Sequence, residues 1–400
     1  MSDEGLIHLK NGEIVDPEGA KEDNFSSRDD LLLAGGKIVD RAPDLNIQLS
    51  SKKNIQRIDA EGKLVLPGFI DSHVHLAGGG GEDGFHSRTP PLKLSQAVAG
   101  GVTTLVGCLG TDATTRSLAD LLARARALKE EGLTSYIYTG SYQFPVRTLT
   151  GAIDDDIIFI NEIIGLGEVA IADHRSSHPT LDRFKRAASQ SRRGGMLAGK
   201  SGVVNIHMGS GRGGFKFLRR AVDSGEIPIS QFLPTHVNRS QEVLKEGIKF
   251  AEQGGWLDFT TSGSLSSPGG GDGADLLLKL ADAGLDFSRI TFSSDGQGSL
   301  PSFDDEGNPV GFEVGQITSL YEQIKRAVKR GNFDLSRVLS LITINPARIL
   351  GLEENKGALK PGNDADIVLV DEDSLSITGV TARGEILMRE EEFLVKGTFE

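Results

Sequence analysis

The chain has 400 residues, 38% hydrophobic and 25% charged, an ordinary balance for a globular enzyme and long enough for a large domain plus a smaller one. Its formal net charge of −13 and the lack of a basic stripe exclude general nucleic-acid binding, and no apolar run approaches the roughly 20 residues of a membrane-spanning helix. The opening residues carry no basic-then-apolar signal, and the one cysteine, Cys108, excludes an intramolecular disulfide and fits a reducing compartment, so a cytoplasmic protein without a membrane partner is expected.

From the start to about residue 63 the chain reads as short strands, at 6–9, 12–15, 31–33 and 37–39, with Asn11-Gly12 and Gly35-Gly36 as hairpin signals. The same texture returns at 366–370, 379–381 and 384–387. Residues 1–63 and 358–400 are therefore expected to build one small β-sandwich domain from both ends.

Residues 64–357 alternate. Apolar runs at 64–70, 102–106, 136–139, 169–172, 203–206, 232–235, 257–260 and 290–292 are separated by helical patterns such as 117–131, 181–191, 241–253 and 275–283. Near-continuous apolar strands between helices indicate a parallel sheet covered on both faces. Eight of them in this length predict an α/β fold, a (β/α)8 barrel, over a doubly wound open sheet.

Catalytic groups of such barrels sit at the carboxyl ends of the strands. The first run ends in Asp71-Ser-His73-Val-His75 and the glycine run Gly78-Gly-Gly-Gly81. Histidines two apart on a strand share a face, so their imidazoles can converge on one metal ion. Later strands end in Gly110-Thr111-Asp112, Gly140-Ser-Tyr142, Asp173-His-Arg175, His207, His236-Val-Asn-Arg239 and Ser293-Ser-Asp295. A pair of strand histidines arises by chance; four of the chain's eight histidines at three strand ends point instead to a two-metal site. One ion falls to His73, His75 and Asp295, the other to His207 and His236. An anion must bridge them to relieve their repulsion, and a shared hydroxide would also be the nucleophile. His8, His86, His174 and His178 read as solvated or hydrogen-bonding side chains.

This constellation resembles the amidohydrolase superfamily, and more closely its isoaspartyl (β-aspartyl) dipeptidases, over almost the whole chain. Leu66-Pro-Gly-Phe-Ile-Asp-Ser-His-Val-His75 is similar to the superfamily's first-strand signature, and Lys356-Gly-Ala-Leu-Lys-Pro-Gly-Asn-Asp-Ala-Asp366 to its return into the small sandwich. More specific together are Gly78-Gly-Gly-Gly-Glu82, Gly110-Thr-Asp112, Thr139-Gly-Ser-Tyr142, Asp173-His-Arg-Ser176, His236-Val-Asn-Arg239 and Ser293-Ser-Asp-Gly-Gln-Gly-Ser299.

Many members bridge their metals with a carboxylated lysine on the fourth strand. The aligned residue here is Glu168, already an anionic carboxylate, read at the start of its strand. Lys200, the rival, precedes its strand and belongs to the other end of the barrel. The resemblance further implies two divalent ions, with zinc suited to these donors, a β-aspartyl dipeptide as substrate, and a homo-oligomer. It assigns the substrate's amino group to Glu82 and its carboxylates to Arg175, Arg239 and Ser299, with Thr111 beside them. Asp295 would shuttle the proton, and Tyr142 would donate to the oxyanion. A related enzyme acting on a cyclic amide or an N-acyl amino acid would use the same metals with other pocket residues, and a non-catalytic scaffold would lack ligands.

Overall fold

Eight parallel strands, Phe69–Val74, Val102–Gly107, Thr134–Thr139, Ile163–Ile171, Val203–Met208, Phe232–Thr235, Leu257–Thr260 and Ile290–Ser293, carry the expected alternation in the computed structural model. It describes residues 5–18, 26–45, 47, 55–262, 273–304, 309–330 and 333–400; residues 1–4, on which the reading of the chain's start rests, lie outside them. The first six strands form one parallel sheet and the last two a second. The curl closes through a parallel bridge between Val74 and Gly296 and a His75 N–H bond of 2.9 Å to the Gly296 carbonyl.

Buried polar side chains hold that closure. Asp258, on the seventh strand, accepts from Thr235 Oγ1 on the sixth (2.6 Å) and from Thr291 (2.6 Å) and Ser293 (2.5 Å) on the eighth. Asp71, on the first, accepts from the Ser294 amide at 3.2 Å. Fully satisfied networks of this kind fix one arrangement of neighbouring strands. Among the described residues no helix is long and apolar enough to cross a membrane.

Both termini build the second layer structure. A four-stranded sheet runs in the order Lys37–Ala42, Asp30–Ala34, Leu6–Lys10, Ile55–Asp59; a seven-stranded sheet joins Glu13–Val15 and Lys63–Pro67 to Ile367–Asp371 and Ile377–Ala382. Ile7, Leu9, Leu31 and Leu33 pack against Ile14, Val65 and Ile367 in a core of their own.

Asn11-Gly12 joins strands of two different sheets rather than forming a hairpin, and the fourth barrel strand, read at 169–172, spans Ile163–Ile171. Two further elements also differ from the sequence reading. The apolar run 64–70 is not one barrel strand. Lys63–Pro67 pairs with Ile367–Asp371 in the terminal sheet, and the barrel strand begins at Phe69. The chain crosses at Gly68, where a Cβ would run into Thr103 Oγ1 and sit 2.8 Å from Asp366 Cβ. The helix expected to stop at 191 continues as Leu181–Ala198 through Gly194 and Gly195. These glycines are contact points: a Cβ on Gly194 would lie 3.0 Å from Asp154 Cα, and one on Gly195 2.6 Å from the Gly202 nitrogen. Close packing against the helix Ile153–Phe159 and the backbone at Gly202 outweighs the weak helix propensity of glycine.

Candidate metal centre and active site

Every candidate ligand lies at or just beyond the carboxyl end of a barrel strand or, for Glu168, within one. His73 sits on the first strand and His75 just after it, His207 on the fifth, and His236 directly after the sixth. Glu168 is the sixth residue of a nine-residue strand, Ile163–Ile171, rather than at its start, and the register with the neighbouring strand shifts between Leu166 and Val169. His236 (φ 60°) and Asp295 (φ 53°) are left-handed, a conformation that costs about 1–3 kcal/mol outside glycine and gathers at functional sites. It turns both side chains inward where a strand ends. After His236 the turn Val237–Arg239 leads into the helix Gln241–Ala251, whose N-cap Ser240 accepts from the Val243 amide at 3.2 Å. Ser240→Ala is expected to lower the unfolding free energy by about 1 kcal/mol, measured by chemical denaturation; an unchanged midpoint would remove the cap from the stability account.

Two clusters share one carboxylate. His73, His75, Cys108 and Glu168 offer ligand atoms within 4.8 Å of one another, and so do Glu168, His207 and His236. Glu168 Oε1 lies 2.7 Å from His207 Nδ1 and 3.2 Å from His236 Nε2, while Oε2 lies 3.5 Å from His73 Nε2. Asp295 Oδ1 lies 3.2 Å from His75 Nε2 and 3.7 Å from His73 Nε2. Yet Glu168 Oε2 and Asp295 Oδ1, both buried, accept no hydrogen bond. An ionised oxygen hidden from water without a donor is costly. Nitrogen and carboxylate donors converging on two such oxygens fit divalent cations. The histidines are held from behind: His73 Nδ1 is 3.1 Å from Asn205 Oδ1, and His236 Nδ1 is 2.6 Å from Thr260 Oγ1. Such outer contacts fix the ring and leave the other nitrogen to the metal.

The electrostatics agree with these assignments. Burial alone would raise the Glu168 carboxyl, but His73 and His207 pull it well below its ordinary value. Burial likewise opposes ionisation of Asp295, yet His75, whose Nε2 lies 3.2 Å from Oδ1, brings it down to about 2. Both stay anionic at neutral pH. Burial pushes His236 down to about 3 against its bond to Glu168, which keeps the imidazole neutral, the ligand form. Burial and the nearby Glu168 push Tyr142 well above its ordinary value, so its hydroxyl remains a donor, 2.7 Å from His207 Nδ1.

A cavity of about 600 Å³ opens over the clusters. Glu82, Thr111, Arg175, Arg239 and Ser299 all line it, with Tyr142, His75, Glu168, His207, His236 and Asp295; His73 is fully buried. The sequence reading did not foresee how the charged groups pair. Glu82 accepts from Thr111 Oγ1 at 3.0 Å and from Arg175 at 3.2 Å. Arg175 also grips Asp173 through Nε at 2.9 Å and a terminal nitrogen at 3.0 Å, and Arg239 reaches the same carboxylate at 3.2 Å.

Asp173 thus orients both arginines, a role its place at a strand end could have suggested. Arg116, buried, donates to the carbonyls of Ala77, Gly79 and Thr89 and so shapes the glycine loop; nothing in its local sequence marks it. In that loop Gly78 has φ 80° and a Cβ there would strike the Thr89 carbonyl. Ser299 sits on a hairpin, Ser299–Phe303 with Pro309–Val314, not foreseen either. Lys200 donates to the carbonyls of Ile157, Ile160 and Ile163, at the opposite end of the barrel from the cluster. His8 bonds Asp30 at 2.9 Å, as a hydrogen-bonding histidine should.

Residues 64–387 match the model of the amidohydrolase family. A crystal structure of a beta-aspartyl dipeptidase from the thermophilic, keratin-degrading Fervidobacterium islandicum AW-1, in complex with a beta-Asp-Leu dipeptide, is 42% identical with a TM-score of 0.89 over 98% of each chain. A dihydroorotase of Acetivibrio thermocellus is 26% identical over 91% of this chain and 88% of its own. Dihydropyrimidinase from Brevibacillus agri NCHU1002 is similar in fold alone, 18% identical with a TM-score of 0.64 over 98% of this chain and 97% of that one.

Proposed function

We propose that this chain, which belongs to the amidohydrolase family and is a metal-dependent hydrolase, cleaves the isopeptide bond of β-aspartyl dipeptides at a two-metal centre. The observation that carries this reading is the meeting in one cavity of a carboxylate common to two ligand clusters with Glu82, Arg175 and Arg239 on the walls. A β-aspartyl dipeptide presents one α-ammonium and two carboxylates. One acid and two guanidiniums complement it, since arginine forks match carboxylates. The likeness to a dipeptidase crystallised with beta-Asp-Leu supports the same substrate class.

His73, His75 and Asp295 would hold one ion, His207 and His236 the other, with Glu168 between them, and zinc suits the donors. Bound ions of this kind supply Lewis acidity toward a carbonyl and acidify water. Asp295 takes the proton of the attacking water at a carboxylate oxygen and passes it to the departing amine. Tyr142 donates from its hydroxyl to the carbonyl oxygen as charge develops there. Glu82 receives the α-ammonium, and Arg175 and Arg239, oriented by Asp173, receive the carboxylates, with Ser299 and Thr111 completing the polar wall. Substrate enters between Glu82 and Arg175, exchanging their ion pair for two complementary contacts.

The relatives named dihydroorotase favour a second reading, hydrolysis of a cyclic amide. Dihydroorotate carries one carboxylate and no ammonium, so it offers Glu82 no cation to replace Arg175. Assaying the zinc-loaded protein on β-Asp-Leu, α-Asp-Leu and dihydroorotate separates the two. Release of aspartate and leucine from β-Asp-Leu alone is expected; turnover of dihydroorotate without β-Asp-Leu cleavage would overturn the dipeptidase reading. Arg239→Met should raise KM for β-Asp-Leu about 10- to 100-fold, the scale of one lost charged hydrogen bond, with a smaller change in kcat. An unaltered KM would take Arg239 out of the pocket.

A further inference from the structure

We propose that Cys108 is a metal ligand, its thiolate completing the donor set of the ion held by His73 and His75. This rests on the metal-centre reading above. Cys108 Sγ lies 3.6 Å from His73 Nε2 and 3.9 Å from His75 Nδ1, buried beneath the cavity. For zinc bound to nitrogen at about 2.0–2.1 Å and sulfur at about 2.3 Å, a tetrahedral nitrogen–sulfur edge is roughly 3.5 Å. The Cys108–His73 separation matches that edge, and it is also within the reach of a thiol–imidazole hydrogen bond. A second observation points to the same space. Glu168 Oε2 and Asp295 Oδ1 are buried without a donor and lie 3.5 and 3.7 Å from His73 Nε2, the nitrogen that the sulfur faces.

The donor count adds a reason. With Cys108 added to His73, His75, Asp295 and Glu168, the first ion would have five protein donors and the second three, Glu168 being common to both. A metal whose positions are filled by protein is closed, whereas three protein donors keep a position open for water or substrate. The His73/His75 ion is therefore the tightly held partner, and the His207/His236 side is where substrate gains access. The thiol proton leaves to solvent as the sulfur–metal bond forms. The rival role is structural, since the Cys108 thiol also points to the Val74 carbonyl at 3.7 Å and belongs to a buried cluster with Ile70, Val106 and Tyr138.

Because Cys108 is the chain's sole cysteine, any thiolate signal from the loaded protein has one source. The protein and its Cys108→Ser variant are loaded with Co²⁺ in thiol-free buffer, and absorption is recorded with the Co²⁺ content. The native chain should show a thiolate-to-cobalt charge-transfer band in the near ultraviolet. The variant should lose it while keeping the weaker ligand-field bands, and should bind its first ion at least about 10–100-fold more weakly in a chelator competition. X-ray absorption of the zinc-loaded native chain should place a sulfur scatterer at about 2.3 Å, a result that does not depend on the variant folding. Ligand-field bands without charge transfer, and no sulfur scatterer, would overturn the role of Cys108 and leave the metal centre standing. A native chain that takes up neither Co²⁺ nor Zn²⁺ would overturn both.

Discussion

Asp295→Asn is expected to lower kcat/KM for β-Asp-Leu by about 10²–10⁴, the range for a lost general acid–base. The amide keeps the size of the side chain but cannot take a proton from water or return one to the leaving amine. In the native chain burial opposes the charge of Asp295, and the histidines around it hold the carboxyl at about 2, so it is ionised throughout the neutral range. Gly298 and Gly315 leave no room for a different path of the loop, since a Cβ on Gly298 would sit 2.5 Å from Asp295 Oδ1. Fold stability should therefore change little while turnover collapses. Steady-state kinetics on protein of verified metal content checks this; a variant retaining native kcat/KM would assign the proton transfer elsewhere.

Tyr142→Phe is expected to lower kcat by about 10²–10³, the usual scale for one oxyanion donor, with KM and metal content near native. The hydroxyl is 2.7 Å from His207 Nδ1, and Arg175 lies over the ring, 5.3 Å from its centroid. Phenylalanine preserves the ring and its packing under Arg175, so the loss isolates the hydroxyl. A loss confined to KM would mean that Tyr142 binds ground-state substrate only, and an unchanged kcat would remove it from the chemistry.

The parts of the site legible in the sequence were those carried by strand periodicity. His73 and His75 share a face because side chains alternate, and His207 and His236 stand out because an imidazole at the end of an apolar strand is conspicuous. The fold was legible for the same reason: buried parallel strands between helices leave a strong pattern.

What escaped depends on contacts between distant segments. Gly68 divides one apolar run between two sheets because Thr103 and Asp366 close on it. Gly194 and Gly195 look like a helix stop until the helix Ile153–Phe159 is packed against the first and the backbone at Gly202 against the second. Cys108 tells only of the missing disulfide until the first strand brings His73 beside it at 3.6 Å. The pairing of Arg175 and Arg239 on Asp173 joins residues 66 positions apart, which no local pattern encodes.

The most direct test of the two-metal centre is anomalous diffraction at the zinc edge from crystals of the zinc-loaded protein. Two peaks are expected on either side of the Glu168 carboxylate, one among His73, His75 and Asp295 and the other between His207 and His236. A single peak, or a Glu168 carboxylate turned away from both ions, would contradict the account.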